Sequence, residues 1–531
     1  MIKRILINLL YLLLATAFLF VSVSAWATTS TVGSGKDYST IQACINARTS
    51  SDDVCDVYGG TYYSGVTQTV ASGTSGHPIT ISCHAGQTCQ MDRIAIYHNY
   101  ITFSGFHLYA PGYGNSGWDA EIWITGSYNT ISGNTLHGGG LYTTAGSYGL
   151  TITGGMYNTI SGNTWDGGVN YVGINTGANG AALIDSTKSW TTNELQGMFI
   201  RNNFTGGYSE SITSNTSNTI TASVGGWTTG DYYTAGQTFY IPVSIAGKNN
   251  TFSGNTFKRM ADVERVFNIG GECDYTTISG NEVYSLKSCN SPAPYDLIHS
   301  DIFQRVIPTS GDLNCRYGRV YNNYFHDLDS AIGQFDTHVP AELDDWIFYN
   351  NVFANITARA GIVYVSWYNN TFFQVNTANN NVIDHYAPGI ARNNIIIGWG
   401  TSGTGNLFGP TATYDGTHDH NYFSLPKDSS YGARTAATID SEGETNYVNG
   451  GDPHFEAAYN DCVANICNFH LTANSTILIG KGAQQNAIFT TDLAGTTRGS
   501  VWDIGAYEYE AGGGDVTAPS VSTAGGSFGR Q

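Results

Sequence analysis

Charge is scarce in this chain of 531 residues. Asp, Glu, Lys and Arg together make up 12% of it, and 22 basic side chains face 41 acidic ones. A formal net charge of −19 excludes a phosphate-gripping basic face, so nucleic acid is not the expected partner. The composition lacks the Ala, Glu, Lys, Leu and Arg excess of a long coiled coil. Beyond the first residues no apolar run is long enough to cross a bilayer. What is plentiful excludes disorder: 41% of residues are hydrophobic, with 35 Tyr and 10 Trp to fill a core. The length exceeds one ordinary domain and suits a repeat architecture or two to three domains.

Residues 1–27 read as a secretory signal peptide. Lys3 and Arg4 form the basic start, Ile5 to Val23 is almost wholly apolar, and Ala25-Trp26-Ala27 offers a small-x-small cleavage site. An uncleaved membrane anchor is the alternative. Nine cysteines fit an oxidising compartment. Cys44/Cys55, Cys83/Cys89 and Cys462/Cys467 read as short-loop disulfides, while Cys273, Cys289 and Cys315 form a trio with one thiol left over. Zinc is disfavoured because the spacing of a zinc site is absent.

The chain repeats itself. Tyr128 to Thr135 reads YNTISGNT, and Tyr157 to Thr164 reads the same. Related segments begin at Asn99, Asn249, Tyr275, Tyr321, Tyr349 and Tyr368. A turn Asn recurs at Asn134, Asn163, Asn255, Asn281, Asn323, Asn351, Asn370 and Asn394. Short β-branched and aromatic runs alternate with Gly, Ser and Asn, which supply turns. Such units bury their inward side chains against the coils above and below, and stacked Asn amides satisfy one corner. The expected fold is all-β: a right-handed parallel β-helix solenoid. Ser39 to Gln42 carries a capping-box pattern, and Ile41, Cys44 and Ile45 share one helical face. A short N-terminal capping helix over the first coil follows.

The segments from Asp37 (DYSTIQACIN), Val57 (VYGGTYYSG) and Ser72 (SGTSGHPITISC) resemble the opening of secreted pectate-lyase-like β-helix proteins, including chondroitinase B and related alginate lyases. Those from Phe469 (FHLTANSTILIGKG), Thr491 (TDLAGTTRG) and Asp503 (DIGAYEY) resemble a choice-of-anchor Q region. The resemblance spans most of residues 30–510. It implies a β-helix and export, and a family that holds lyases, epimerases, hydrolases and proteins without a known reaction. The organisation expected is a signal peptide (1–27), an N-terminal β-helix part with its cap (28–177), an inserted β-rich module (178–244), a C-terminal β-helix part (245–468), the anchor-Q-like region (469–510) and a Gly/Ser-rich tail (511–531).

Because charges are few, their clusters carry information. One lies at 258–274 and another at 296–345. Residues one solenoid period apart stand about 5 Å from each other along the axis, so the two clusters are expected on a common flank suited to an extended polymer. His299, two residues before Asp301, offers an acid or base oriented by a carboxylate. β-Elimination from a uronate needs its carboxylate neutralised, a base for the C5 proton and an acid for the leaving oxygen. Arg265, Arg305 and Gln304 are candidates for the first task. His299 or His338 serve the others, with Lys258 as a second possible base. Asp262, Glu264, Asp301 and Asp336 are candidate oxygen ligands for Ca²⁺. Gln304, Gln334, Tyr364 and Trp367 are candidate substrate contacts, although inward aromatic rings would simply fill the bore. The expected protein is secreted or held at a bacterial cell surface, a monomer that engages an acidic polysaccharide. A polysaccharide lyase is the first reading, a non-catalytic glycan-binding adhesin the second, and an inverting hydrolase built on carboxylates such as Asp301 and Asp336 the third.

Overall fold

The structure, a computed structural model, describes residues 27–109, 120–138, 148–168, 171–196, 198–202, 210–222, 226–236, 239, 241–261, 263–287, 301–306, 315–328, 331–335, 346–356, 365–374, 389–398, 417–425, 433, 444–458, 462 and 467–510. Its strands wind into a parallel β-helix. The first face is a 13-stranded sheet whose neighbours follow chain order from Thr29–Val32 to Thr417–Asp419. A 19-stranded sheet supplies the second and third faces, which meet along the long strands Gly60–Gln68 and Cys89–Ile96.

The Asn row expected at one corner is present and continuous. The row begins at Asn134, and from Asn163 through Asn255, Asn281, Asn323, Asn351, Asn370 and Asn394 to Asn421 each Oδ1 accepts two bonds from the preceding member. One comes from that residue's backbone N–H and one from its side-chain amide, at 2.8–3.1 Å. The second amide proton goes back to a bore carbonyl, as from Asn163 to Ile131 and from Asn255 to Ile160. Every one of these side chains is buried, and a buried amide is tolerated only when so satisfied. The row ends where Asn421 donates to Glu444 Oε1 at 2.9 Å.

The row also sets the phase of the neighbouring strands. The residue two beyond each Asn faces the bore: Leu136, Trp165, Phe257, Val283, Phe325, Phe353, Phe372, Ile396 and Phe423 are all at most 1% exposed. Since strand neighbours alternate sides, the residues one and three beyond the Asn point outward. The helix Ile41–Ala47 buries Ile41, Cys44 and Ile45, Thr40 accepts from Ala43 N at its N-terminus, and Cys44–Cys55 staples it to the first coil. Cys83–Cys89, Cys273–Cys315 and Cys462–Cys467 are also bonded, and Cys289 lies outside the described residues.

A six-stranded antiparallel sheet, Tyr171 to Gly236, is inserted after the strand Thr164–Asp166. It carries its own core of Leu183, Trp190, Leu195, Ile200, Ile212 and Ile220. Residues 467–510 fold back on the last coils. Phe469, Leu471 and Leu478 cover the outer side of Val352, Phe373, Ile395 and Tyr422. Asn350, Asn369 and Asn393 donate to the carbonyls of Thr491, Asp503 and Ala483. Arg498, buried, binds Glu508, Gly505 O and Asn350.

Candidate functional site

The outward residue three beyond each ladder Asn defines a row down the second face: His137, Asp166, Lys258, Tyr284 and His326. Register fixes their order. Leu136 pairs with Trp165, which sets His137 beside Asp166. Asp166 pairs with Lys258, Lys258 with Tyr284, and Tyr284 with His326. Tyr109 extends the row upward, its ring stacked on His137 at 4.1 Å. Below His326 the row becomes apolar, at Ala354 and Phe373, and there the C-terminal segment covers it. The outer second face is therefore polar over its upper coils and sealed over its lower ones.

Asp166 is the electrostatic centre. Arg259 grips it with Nε at 2.8 Å and with a second guanidinium nitrogen. The Lys258 ammonium stands 3.8 Å away, and Gly168 N–H donates to it at 2.9 Å. Arg259 has φ 53°, and this kink brings two consecutive basic side chains to one carboxylate. The Asp166 bond raises the Arg259 pKa against the opposing cost of burial. Burial pushes the His137 imidazole down to about 4, helped by His107, Arg259 and Lys258 and opposed by Asp166. It is a neutral base at ordinary pH. Burial, with Glu282 and Asp166, pushes the Tyr284 hydroxyl up to about 12, so it holds its proton. His326 is 1% exposed. Its ring contacts Asp327 at 2.7 Å and Glu282 at 3.1 Å. Burial works against its charge, but the two carboxylates outweigh that and the pKa is raised.

The residues expected on a single flank divide between surfaces. Lys258 belongs to the second-face row. Arg265 and Asp301 are in register on the third face, where Arg265 binds the adjacent Glu264 and Asn268. Gln304 is in backbone register with Asn268 and Gln334; the side chain of Gln334 lies outside the described residues. Arg305 pairs with Ile269, a bore residue, and is 3% exposed, so it stands on the opposite side of its strand from Gln304. Trp367 is a correction. It is 1% exposed and packs in the bore against Phe348 at 4.6 Å, so it presents no ring to a substrate. Asp262, His299, Asp336, His338 and Tyr364 lie outside the described residues. Of the expected Ca²⁺ ligands, Glu264 is occupied by Arg265 and Asp301 is 3% exposed. Among the described residues no three His, Cys, Asp or Glu gather as a metal site, and no helix is long and apolar enough to cross a membrane.

No protein-family model and no curated protein matches the chain. Among solved structures it is similar to pectate lyase Pel9A, with 13% identity, a TM-score of 0.44 and coverage of 91% of this chain and 98% of that one. It is similar to a mannuronic acid specific polysaccharide family 6 lyase from human gut microbiota, at 13% identity, TM-score 0.42 and coverage of 75% and 82%. It is also similar to XylC in complex with xylose, at 8% identity, TM-score 0.48 and coverage of 90% and 98%. At these values the likeness is one of winding, and no chemistry passes from those proteins to this chain.

Proposed function

We propose that this is a secreted polysaccharide lyase that cleaves a uronate-containing polymer by β-elimination, with the upper second face as its active groove. The observation that carries this reading is the outward row of neutral imidazole, forked carboxylate, ammonium and protonated phenol on consecutive coils. Its parts match the three tasks of elimination. Arg259 supplies positive charge for the uronate carboxylate and acidifies C5. His137, held neutral, accepts the C5 proton; the C–H electron pair becomes the C4–C5 double bond as the C4–O bond breaks. The Lys258 ammonium, drawn to within 3.8 Å of Asp166 and so to the level next to His137, delivers a proton to the departing oxygen, and solvent returns the proton from imidazole to the amine. Tyr284, three strand spacings from His137, is a proposed contact to a neighbouring sugar. Asp166 orients both cations. Gln304 and Arg265, on the neighbouring third face, are proposed contacts to flanking sugars. Four disulfides support the secreted location.

The test is incubation with polygalacturonate, alginate and chondroitin while near-ultraviolet absorbance of unsaturated ends is followed. Absorbance that disappears in Lys258→Ala supports elimination. New reducing ends without absorbance would assign a hydrolase instead, and binding with neither product an adhesin. A chelator arm tests the calcium expectation separately.

A further inference from the structure

A second surface row lies at the turn that enters the first face. Tyr100, Tyr128, Tyr157, Asn249, Tyr275 and Tyr317 hold this place on successive coils, the first five each linked to the next coil by the backbone N–H. All six have φ between 55° and 61°, a region that bulky side chains rarely adopt and that Asn tolerates. Asn249 shows that the turn itself does not need an aromatic residue. The tyrosines nonetheless sit there half exposed, at 46% for Tyr128, 47% for Tyr157 and 53% for Tyr275. A strained backbone that keeps presenting a large ring to solvent points to a use for the ring.

The rings stack along the solenoid axis. Tyr100 and Tyr128 are 5.0 Å apart with planes 8° apart, Tyr128 and Tyr157 are 4.9 Å and 2° apart, and Tyr275 and Tyr317 are 4.9 Å and 18° apart. Within each stack the faces cover one another, so only edges and hydroxyls meet solvent. The exception is the coil of Asn249. There the row holds Asn249 instead of a ring, and the lower face of Tyr157 and the upper face of Tyr275 flank the place of its smaller amide. Register confirms the placement, with Thr159, Thr251 and Thr277 paired in turn, each two residues beyond its row member. Two strand spacings set the rings about 10 Å apart, room for one further ring at ordinary stacking distance from both. Lys248 stands at the rim, 3.3 Å from Glu272 and 3.6 Å from Asp274, which gives the opening hydrogen-bonding groups on one side.

We propose that this gap is a glycan-binding slot, in which one pyranose of an extended polysaccharide completes the ladder as the missing rung between Tyr157 and Tyr275. The apolar C–H faces of a pyranose suit two aromatic faces, and its equatorial hydroxyls reach the Lys248 side and solvent. The slot sits at the entrance to the first face, away from the second-face groove. It anchors polymer while cleavage proceeds elsewhere. The inference rests on the polysaccharide part of the proposed function and not on elimination.

The test fills the slot rather than emptying it. Asn249→Tyr adds the absent rung at a φ its neighbours already accept, so the fold and its melting temperature are kept. Affinity electrophoresis in gels containing polygalacturonate, alginate or mannan reads binding. Wild type is expected to be retarded by at least one polymer. Asn249→Tyr, Tyr157→Ala and Tyr275→Ala are each expected to weaken that retardation roughly tenfold, and Tyr100→Ala, remote from the gap, to leave it unchanged. Release of unsaturated ends from short oligosaccharides is expected to be the same in Asn249→Tyr as in wild type. Full retardation of a folded Asn249→Tyr protein would overturn the slot, as would a wild type retarded by no polymer. Absence of unsaturated ends with retardation intact would remove the lyase reading and leave the slot standing.

Discussion

Asp166 and Arg259 are 93 residues apart in the chain and bonded side by side on adjoining coils, with Arg259 Nε 2.8 Å from the carboxylate. The inserted antiparallel sheet accounts for the separation. It leaves the solenoid just after Asp166 and returns before the next coil, without disturbing the register of Asp166 with Lys258.

If this pair orients the cations of the groove, Asp166→Asn should lower the rate of unsaturated-end formation by about 10²–10³-fold, and Lys258→Ala by about 10²–10⁴-fold. Asp166→Asn keeps the shape of a side chain that is only 6% exposed and should lower the melting temperature modestly through the weakened Arg259 pair; Lys258→Ala, which removes a longer 3.8 Å contact, should lower it less. Initial rates alongside thermal melts check both statements. A large loss of melting temperature with proportionate loss of rate would mean that the pair is structural.

The interior amide row predicts a stability effect. Asn323 accepts two bonds from Asn281 and donates to Asn351 and to Ile278 O. Asn323→Ala leaves buried donors and an acceptor without partners, and should cost about 2–5 kcal/mol. Denaturant unfolding measures it, with Thr164→Ala on the outer face as a mild comparison.

Two groups make the lower half of the molecule sensitive to alkali. The His326 pKa is raised above its ordinary value, so the stability gained from Asp327 and Glu282 is full below pH about 6.5 and is lost as pH rises through the folded value. Glu508 is pushed up to about 7 by burial, against the pull of Arg498. Its contribution is likewise present at acid pH and lost as pH climbs through 7. The melting temperature should fall as pH rises from about 4.5 to 7, where the unfolded Glu508 carboxyl ionises before the folded one, and fall further above about 6.5 as the unfolded His326 ring loses its proton before the folded one; His326→Gln and Glu508→Gln should each flatten its own part of that slope. Calorimetry across the range is the check.

Trp367 tests inside against outside. Trp367→Ala should destabilise by about 3–5 kcal/mol through the cavity it leaves. Trp367→Phe should fold and bind glycan like wild type. A selective loss of glycan affinity in Trp367→Phe would contradict its burial.

Architecture was readable because the Asn period is a local signal repeated many times. Once the ladder phase is known, every surface row is an offset. The bore on the second face is Asn plus two and the groove is Asn plus three, so His137, Asp166, Lys258, Tyr284 and His326 follow from Asn134, Asn163, Asn255, Asn281 and Asn323. Counting charge density instead of phase found Lys258 and passed over His137 and Asp166, which stand alone in uncharged stretches. The same phase puts Trp367 three residues before Asn370, level with Ile131 and Phe252 in the bore. The fold-back of the C-terminal segment over the lower coils was not legible. It depends on contacts such as Arg498 with Asn350, 148 residues apart, for which no repeat gives a phase.

Glu444 closes the amide row, and its chemistry gives the row a direction. Each Asn both accepts and donates, so any Asn invites a successor. A carboxylate only accepts, and Asn421 is satisfied by both of its oxygens. A solenoid's open end is otherwise a template onto which another copy can stack. Finishing the amide series with an acid removes the donor that end-to-end fibre growth would need at this corner, so the molecule sets its own length.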